Sequence, residues 1–97
     1  MPAYVISEID WHDQAKATEY RTLFGPALEK HGGKTLAVQG PPLVMEGDWK
    51  PSRLVLLEFP TLAAVHTWYG SPEYAPVLRL RQEGAKSRMV VLEKTGP

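Results

Sequence analysis

The stretch from Met45 to Pro60, MEGDWKPSRLVLLEFP, constrains this chain more than any other. Its second half, Arg53 to Phe59, is short and nearly continuous in apolar residues, which suits a strand covered on both faces rather than an edge strand facing water. That strand belongs in mid-sheet. The first half is a polar turn carrying Glu46, Trp49 and Arg53, so one stretch supplies both a central strand and the wall of a candidate site. Parity then separates two charges. Arg53 and Glu58 lie five positions apart, so on one strand they point to opposite faces, and at most one of them shares a face with any given pocket.

The remaining elements can be set around this strand. Ala3 to Ile9, AYVISEI, is rich in β-branched and aromatic residues and reads as a strand. Asp10 or Asp13 then offers an N-cap to a helix from Gln14 to His31. In that helix Tyr20, Leu23, Phe24, Ala27, Leu28 and His31 keep the i, i+3, i+4 spacing of one buried face. Gly25-Pro26 predicts a kink or break, because proline withholds the N–H that would bond the carbonyl of Thr22. Gly32-Gly33 stops the helix. Lys34 to Gln39 reads as a second strand, ended by Gly40-Pro41-Pro42, with Leu43 to Glu46 as an extended or bulged continuation. After the central strand, Thr61 caps a helix running to Gly70, with Leu62, Val65, His66 and Tyr69 on one stripe. Ser71-Pro72-Glu73 starts another at once, and there Tyr74, Val77, Leu78 and Arg81 share a face. Arg88 to Glu93 is the last strand.

Strand, helix, strand, strand, helix pair, strand is the ferredoxin-like βαββαβ order: an α+β fold with an antiparallel sheet, helices on one face and the second helix split in two. A single domain accounts for 97 residues. A chain this short buries only about two-thirds of its unfolded surface, so association is a natural supplement. Strands as apolar as Arg53–Phe59 and Arg88–Glu93 leave the uncovered face of the sheet apolar, and the same face of a second copy covers it. The expectation is a homodimer, a dimeric α+β barrel. Eleven basic and eleven acidic side chains balance without a run of like charge, which argues against nucleic acid and against an anionic membrane as partners. No apolar segment approaches the roughly 20 residues of a membrane span, and the chain starts without a signal-like pattern, so a cytoplasmic location is expected. With no cysteine, disulfides, thiol nucleophiles and Cys-based metal sites are excluded.

Four stretches, MPAYVISEID, EYRTLFGPALEKHGGKTLAVQG, MEGDWKPSRLVLLEFP and SPEYAPVLRLRQEGAKSRMVV, taken in order over nearly the whole chain, resemble the DUF1330 domain, a family of small bacterial proteins without an established general function. The Gly-Gly after the first helix, the EGDW-KP-R turn and the SPEY helix start carry most of the resemblance. It implies a dimeric α+β barrel fold and a pocket, and it carries no reaction.

Two constellations are candidates for chemistry. The first is Glu46, Trp49, Arg53 and Glu58. Inside VLLEF, Glu58 is expected to be buried, which would raise its pKa toward that of a general acid or base near neutral pH. The competing reading is an ion pair with an Arg or Lys of the dimer interface. Trp49 fits either stacking on a ligand or anchoring an interface. The second constellation comes from the helices, where Tyr20, His31, Tyr74, Arg79 and Arg81 converge over the helix-covered face beside core residues Trp68 and Tyr69. Buried tyrosine hydroxyls and an arginine fork need partners, and a carboxylate on a small substrate supplies one. The breaks at Gly25-Pro26 and Gly70–Pro72 are expected to open a pocket there, between helices and sheet.

His12, His31 and His66 show no HxH, HxxxH or Glu-x-x-His spacing, so no metal and no cofactor is expected. Pro2 would become a secondary-amine base if Met1 were removed; the plainer reading is a strand start where its missing N–H is harmless. With no nucleophile set, metal set or phosphate loop, the residues point to a small-molecule-binding homodimer. The alternative is a small cofactor-independent enzyme, isomerase or monooxygenase-like, in which Glu46 or Glu58 and a tyrosine move a proton on an acidic or aromatic metabolite.

Overall fold

The computed structural model describes residues 1–95, in which seven elements follow one another: β1 (Ala3–Trp11), α1 (Gln14–Lys30), β2 (Lys34–Gln39), β3 (Leu54–Phe59), α2 (Leu62–Tyr69), α3 (Ala75–Gly84) and β4 (Ala85–Glu93). The strands form one sheet in the order β2-β3-β1-β4, every neighbouring pair antiparallel. The apolar strand β3 is therefore interior, as its composition requires.

Alternation along the strands gives the sheet two unlike faces. Ala3, Val5, Ser7 and Ile9 of β1 and Val55, Leu57 and Phe59 of β3 are buried beneath the helices. There they meet Leu28, Val65, Trp68, Tyr74 and Val77 in one core. The Trp68 ring lies 5.0 Å from Phe59 and 4.2 Å from Tyr74, centre to centre. Burying each large side chain of this kind contributes about 1.5–3 kcal/mol. On the other face Ile6 is in register with Leu56 and Val90, and Glu8 with Leu54 and Arg88.

The caps explain where the helices begin. The Asp13 carboxylate accepts from the Lys16 N–H (3.1 Å) and the Thr61 hydroxyl from the Ala64 N–H (3.0 Å), each satisfying a donor that the first turn leaves free. Ser71 opens the third helix through a turn: its hydroxyl accepts from the Tyr74 N–H and its carbonyl from the Ala75 N–H, both at 3.2 Å. Gly33 is a matter of close approach, since a Cβ there would lie 2.7 Å from the Phe59 ring.

Three sequence expectations are corrected. Helix α1 continues through Pro26 without a break. Thr22 and Pro26 are both exposed, so the carbonyl that loses its partner faces water. Strand β4 starts at Ala85 rather than Arg88, and β1 runs on to Trp11, because the ladder extends through Asp10–Lys86 and Trp11–Ala85. Finally, Leu43 to Glu46 forms no strand, and Leu43 and Met45 are among the most exposed apolar side chains described, at 82% and 84%.

Candidate functional site

The helix-side face carries a cleft of about 260 Å³ between α1 and strands β1, β3 and β2. It exists because α1 leaves the edge strand β2 uncovered: all six β2 residues are exposed, and the strand is irregular between Thr35 and Ala37. One wall is aromatic, formed by Trp11 at the end of β1 with Tyr20 and Phe24 of α1. Trp11 meets Tyr20 edge to face at 5.1 Å, and Tyr20 stacks on Phe24 at 5.2 Å. Arg53, just before β3, and Val55 within it line the cleft, and Arg21 stands on its exposed rim. No Asp, Glu or His lines it.

Behind Tyr20 lie two further polar groups. Tyr74 is fully buried and Arg81 is 3% exposed, and both lie within the electrostatic reach of the Tyr20 hydroxyl. Neither the Tyr74 hydroxyl nor Arg81 Nε has a close hydrogen-bond partner among the described residues, although Tyr20 and Arg81 both lie near enough to the Tyr74 hydroxyl to act on it. Burial, chiefly, pushes the Tyr20 hydroxyl well above the usual tyrosine range, with the neighbouring Tyr74 adding to it and Arg81 opposing it. Burial likewise raises Tyr74, again against the pull of Arg81. Both stay protonated and available as donors at neutral pH.

The opposite face has its own hollow, about 410 Å³, beneath Trp49 and over Ile6, Leu54 and Val90. Its charges are satisfied internally. The Glu8 carboxylate accepts from Arg88 Nε at 2.8 Å, from the same guanidinium's terminal nitrogen, and from Trp49 Nε1 at 3.4 Å. Further along the same face, Glu58 pairs with Lys34 at 3.1 Å.

These positions sort the candidate residues. Tyr20, Tyr74 and Arg53 come together on the helix side. Trp49 and Glu58 lie on the other face, as parity requires for Arg53 and Glu58. Glu58 is partly exposed, at 23%, and forms an ion pair, as the competing reading has it, though with Lys34 of its own chain. Glu46 is exposed and lines neither hollow. His31 is tied to Glu73 at 3.1 Å, joining the end of α1 to the turn before α3. Lys30 bonds to the same carboxylate and is the main reason Glu73 is held below the usual glutamate range. Arg79 is exposed, whereas Arg81 is buried. The space opens between α1 and the sheet, without the expected break at Gly25-Pro26. Trp11 and Phe24 of the wall and Arg21 on the rim are residues that sequence reasoning missed as site residues; the extended β1–β4 ladder places the first, helical spacing assigns the second only to the buried face, and nothing in the spacing marks the third. Among the described residues no group of three or more His, Cys, Asp or Glu side chains is placed to hold a metal.

A four-stranded antiparallel sheet in this order, with helices on one face and a cleft beneath the first of them, defines a ferredoxin-like α+β protein. The chain belongs to the DUF1330 family, described as a domain of unknown function, which it matches over residues 2–95. It is similar to a protein of unknown function from Rhodopseudomonas palustris at 22% identity and a TM-score of 0.79, covering 99% of this chain and 84% of that one. A dimeric ferredoxin-like protein of unknown function from Jannaschia sp. CCS1 shares 13% identity with a TM-score of 0.74, over 97% of this chain and all of that one (100%). SnoaB, a cofactor-independent oxygenase from Streptomyces nogalater, shares 11% identity with a TM-score of 0.70, over 99% and 95% of the two chains. At these identities the likenesses show the fold. No curated protein matches the chain in sequence.

Proposed function

We propose that the chain is a homodimeric small-molecule-binding protein whose ligand lies in the cleft between α1 and strands β1, β3 and β2. The observation that carries this reading is the lining itself: three aromatic side chains and Val55 around a concave space, with arginines at its wall and rim. That is the mix of apolar surface and few polar groups that ligand sites use. The homodimer rests on the other face, where Val90 and Leu92 are 58% and 57% exposed beside partly buried Ile6, Leu54 and Leu56. A second copy of the same face is the simplest cover for such a patch, and relatives of this fold are described as dimeric.

A thermal-shift screen of metabolites, followed by NMR mapping of any hit, tests both parts. A ligand at 100 times its Kd stabilises the folded state by about 2.7 kcal/mol, and its shifts should centre on Trp11, Tyr20 and Phe24. Shifts confined to Trp49 and Glu8 would move the site to the other face. Sedimentation at micromolar concentration should give the mass of two chains.

The second reading, a cofactor-independent enzyme, draws on the fold shared with the Streptomyces nogalater oxygenase and on Tyr20 in the cleft wall. It ranks behind because the carboxylates first considered for proton transfer lie elsewhere, leaving no acid or histidine in the lining to act as a base of ordinary strength.

A further inference from the structure

Resting on the cleft reading above, we infer that the cleft takes a planar aromatic carboxylate, its ring against Trp11, Tyr20 and Phe24 and its carboxylate on Arg53. Arg21, Arg53 and Arg81 gather at or behind the cleft, and among the described residues none of the three has a carboxylate within ion-pair distance. Asp10 is an acid in the neighbourhood. It sits with Arg21 and Arg53 around an adjoining shallow depression, still beyond pairing distance.

Arg81 makes the case sharper. A guanidinium that is 3% exposed is costly to keep without a counter-charge. Helical side chains lean toward the helix N-terminus, so Arg81 reaches back along α3 toward Tyr74, whose buried hydroxyl also lacks a partner. Together they set a positive, donor-rich background behind Tyr20, while Arg53 presents its charge in the lining itself. A cleft lined by one sign of charge with apolar walls concentrates ions of the opposite sign. Arginine adds a planar fork that matches a carboxylate, and the stacked rings fit a flat apolar body. The volume, about 260 Å³, is below the roughly 300–1,000 Å³ range of ordinary ligand sites, which favours a single-ring acid.

The test is a pair of isosteres, benzoate and benzamide, titrated into the full chain while the indole N–H signal of Trp11 is followed by NMR. Charge-assisted bonding to arginine predicts that benzoate binds at least about tenfold more tightly than benzamide. Arg53→Gln should abolish that preference, and Arg81→Gln should weaken it while leaving benzamide unchanged. Should Arg81→Gln fail to fold, Arg53→Gln, at a partly exposed position, decides the matter. Equal affinity for the two probes overturns anion recognition and leaves the cleft reading standing. Absence of any Trp11 response to both probes, with none to the metabolite screen, overturns the two together.

Discussion

The two faces of the sheet treat their charged groups in opposite ways. On the open face Glu8 is bonded to Arg88 and Trp49, and Glu58 to Lys34, so the ions that flank the apolar band of Ile6, Leu56 and Val90 are paired. On the helix face Arg53 and Arg81 have, among the described residues, no acid within ion-pair distance, and they lie near buried hydroxyls. A surface with its charges paired can be covered by another apolar surface at little electrostatic cost. A cleft with its cations unpaired favours a ligand that brings negative charge. Under the proposed reading, assembly and binding fall on different sides of one four-stranded sheet.

The largest effect that would sharpen this contrast belongs to the core beneath the helices. Phe59→Ala should destabilise the chain by about 3–5 kcal/mol in urea unfolding, because Phe59 is fully buried against Trp68; a loss under 1 kcal/mol would show the helix face to be loosely packed. Next comes Leu56→Asp on the open face. A buried unpaired charge costs about 3–5 kcal/mol when association covers it, so the dimer dissociation constant should rise by roughly two to three orders of magnitude while Trp11 still reports ligand. An unchanged sedimentation profile would remove the open face from the interface.

Tyr74→Phe is expected to act in two directions. It removes a buried hydroxyl without a partner, so stability should rise by about 1 kcal/mol, and any preference of the cleft for anions should fall. The pH dependence follows from the same groups. Tyr20 and Tyr74 have folded-state pKa values above the ordinary 10.0, so their contribution is complete below pH 10 and is lost as pH climbs past it, when the unfolded tyrosines release protons more readily than the folded ones. Alkaline unfolding should therefore steepen above that point and be shallower in Tyr74→Phe; identical alkaline limbs would mean that Tyr74 ionises freely in the folded chain. The smallest effect is Glu58→Gln. Its ion pair is partly exposed, and such pairs contribute about 0.2–1 kcal/mol. A larger loss that appears only at dimer-forming concentrations would show the pair to be buried by association.

Much of this architecture can be read from local chemistry. RLVLLEF declares an interior strand, Asp13 and Thr61 declare helix starts, and the five-residue spacing of Arg53 and Glu58 splits them across the sheet. The site is less legible. Helical spacing groups Arg81 with Tyr74 and Val77, yet composition gives no reason to bury one arginine of α3 and expose Arg79, which depends on α1 packing against α3. Trp11 looks like part of a turn until the β1–β4 ladder is seen to extend. Pro26 signals a break that does not come, because sequence alone does not show that the affected carbonyl faces solvent. In each case the missing information is which neighbour, distant in sequence, covers the residue.

The passage from α3 to β4 has one more consequence. The Gly84 carbonyl accepts from the N–H groups of both His12 and Asp13, at 2.9 and 3.1 Å, and a Cβ on Gly84 would lie 2.9 Å from that of Lys16 and 3.2 Å from the Trp11 ring. Helix gives way to strand there with no residue to spare, so the junction has no tolerance for length change. Insertions, affinity tags or reporter domains placed at Gly84-Ala85 would pull Trp11 out of the cleft wall, whereas the long excursion between β2 and β3, with its exposed Leu43 and Met45, is where the chain can grow.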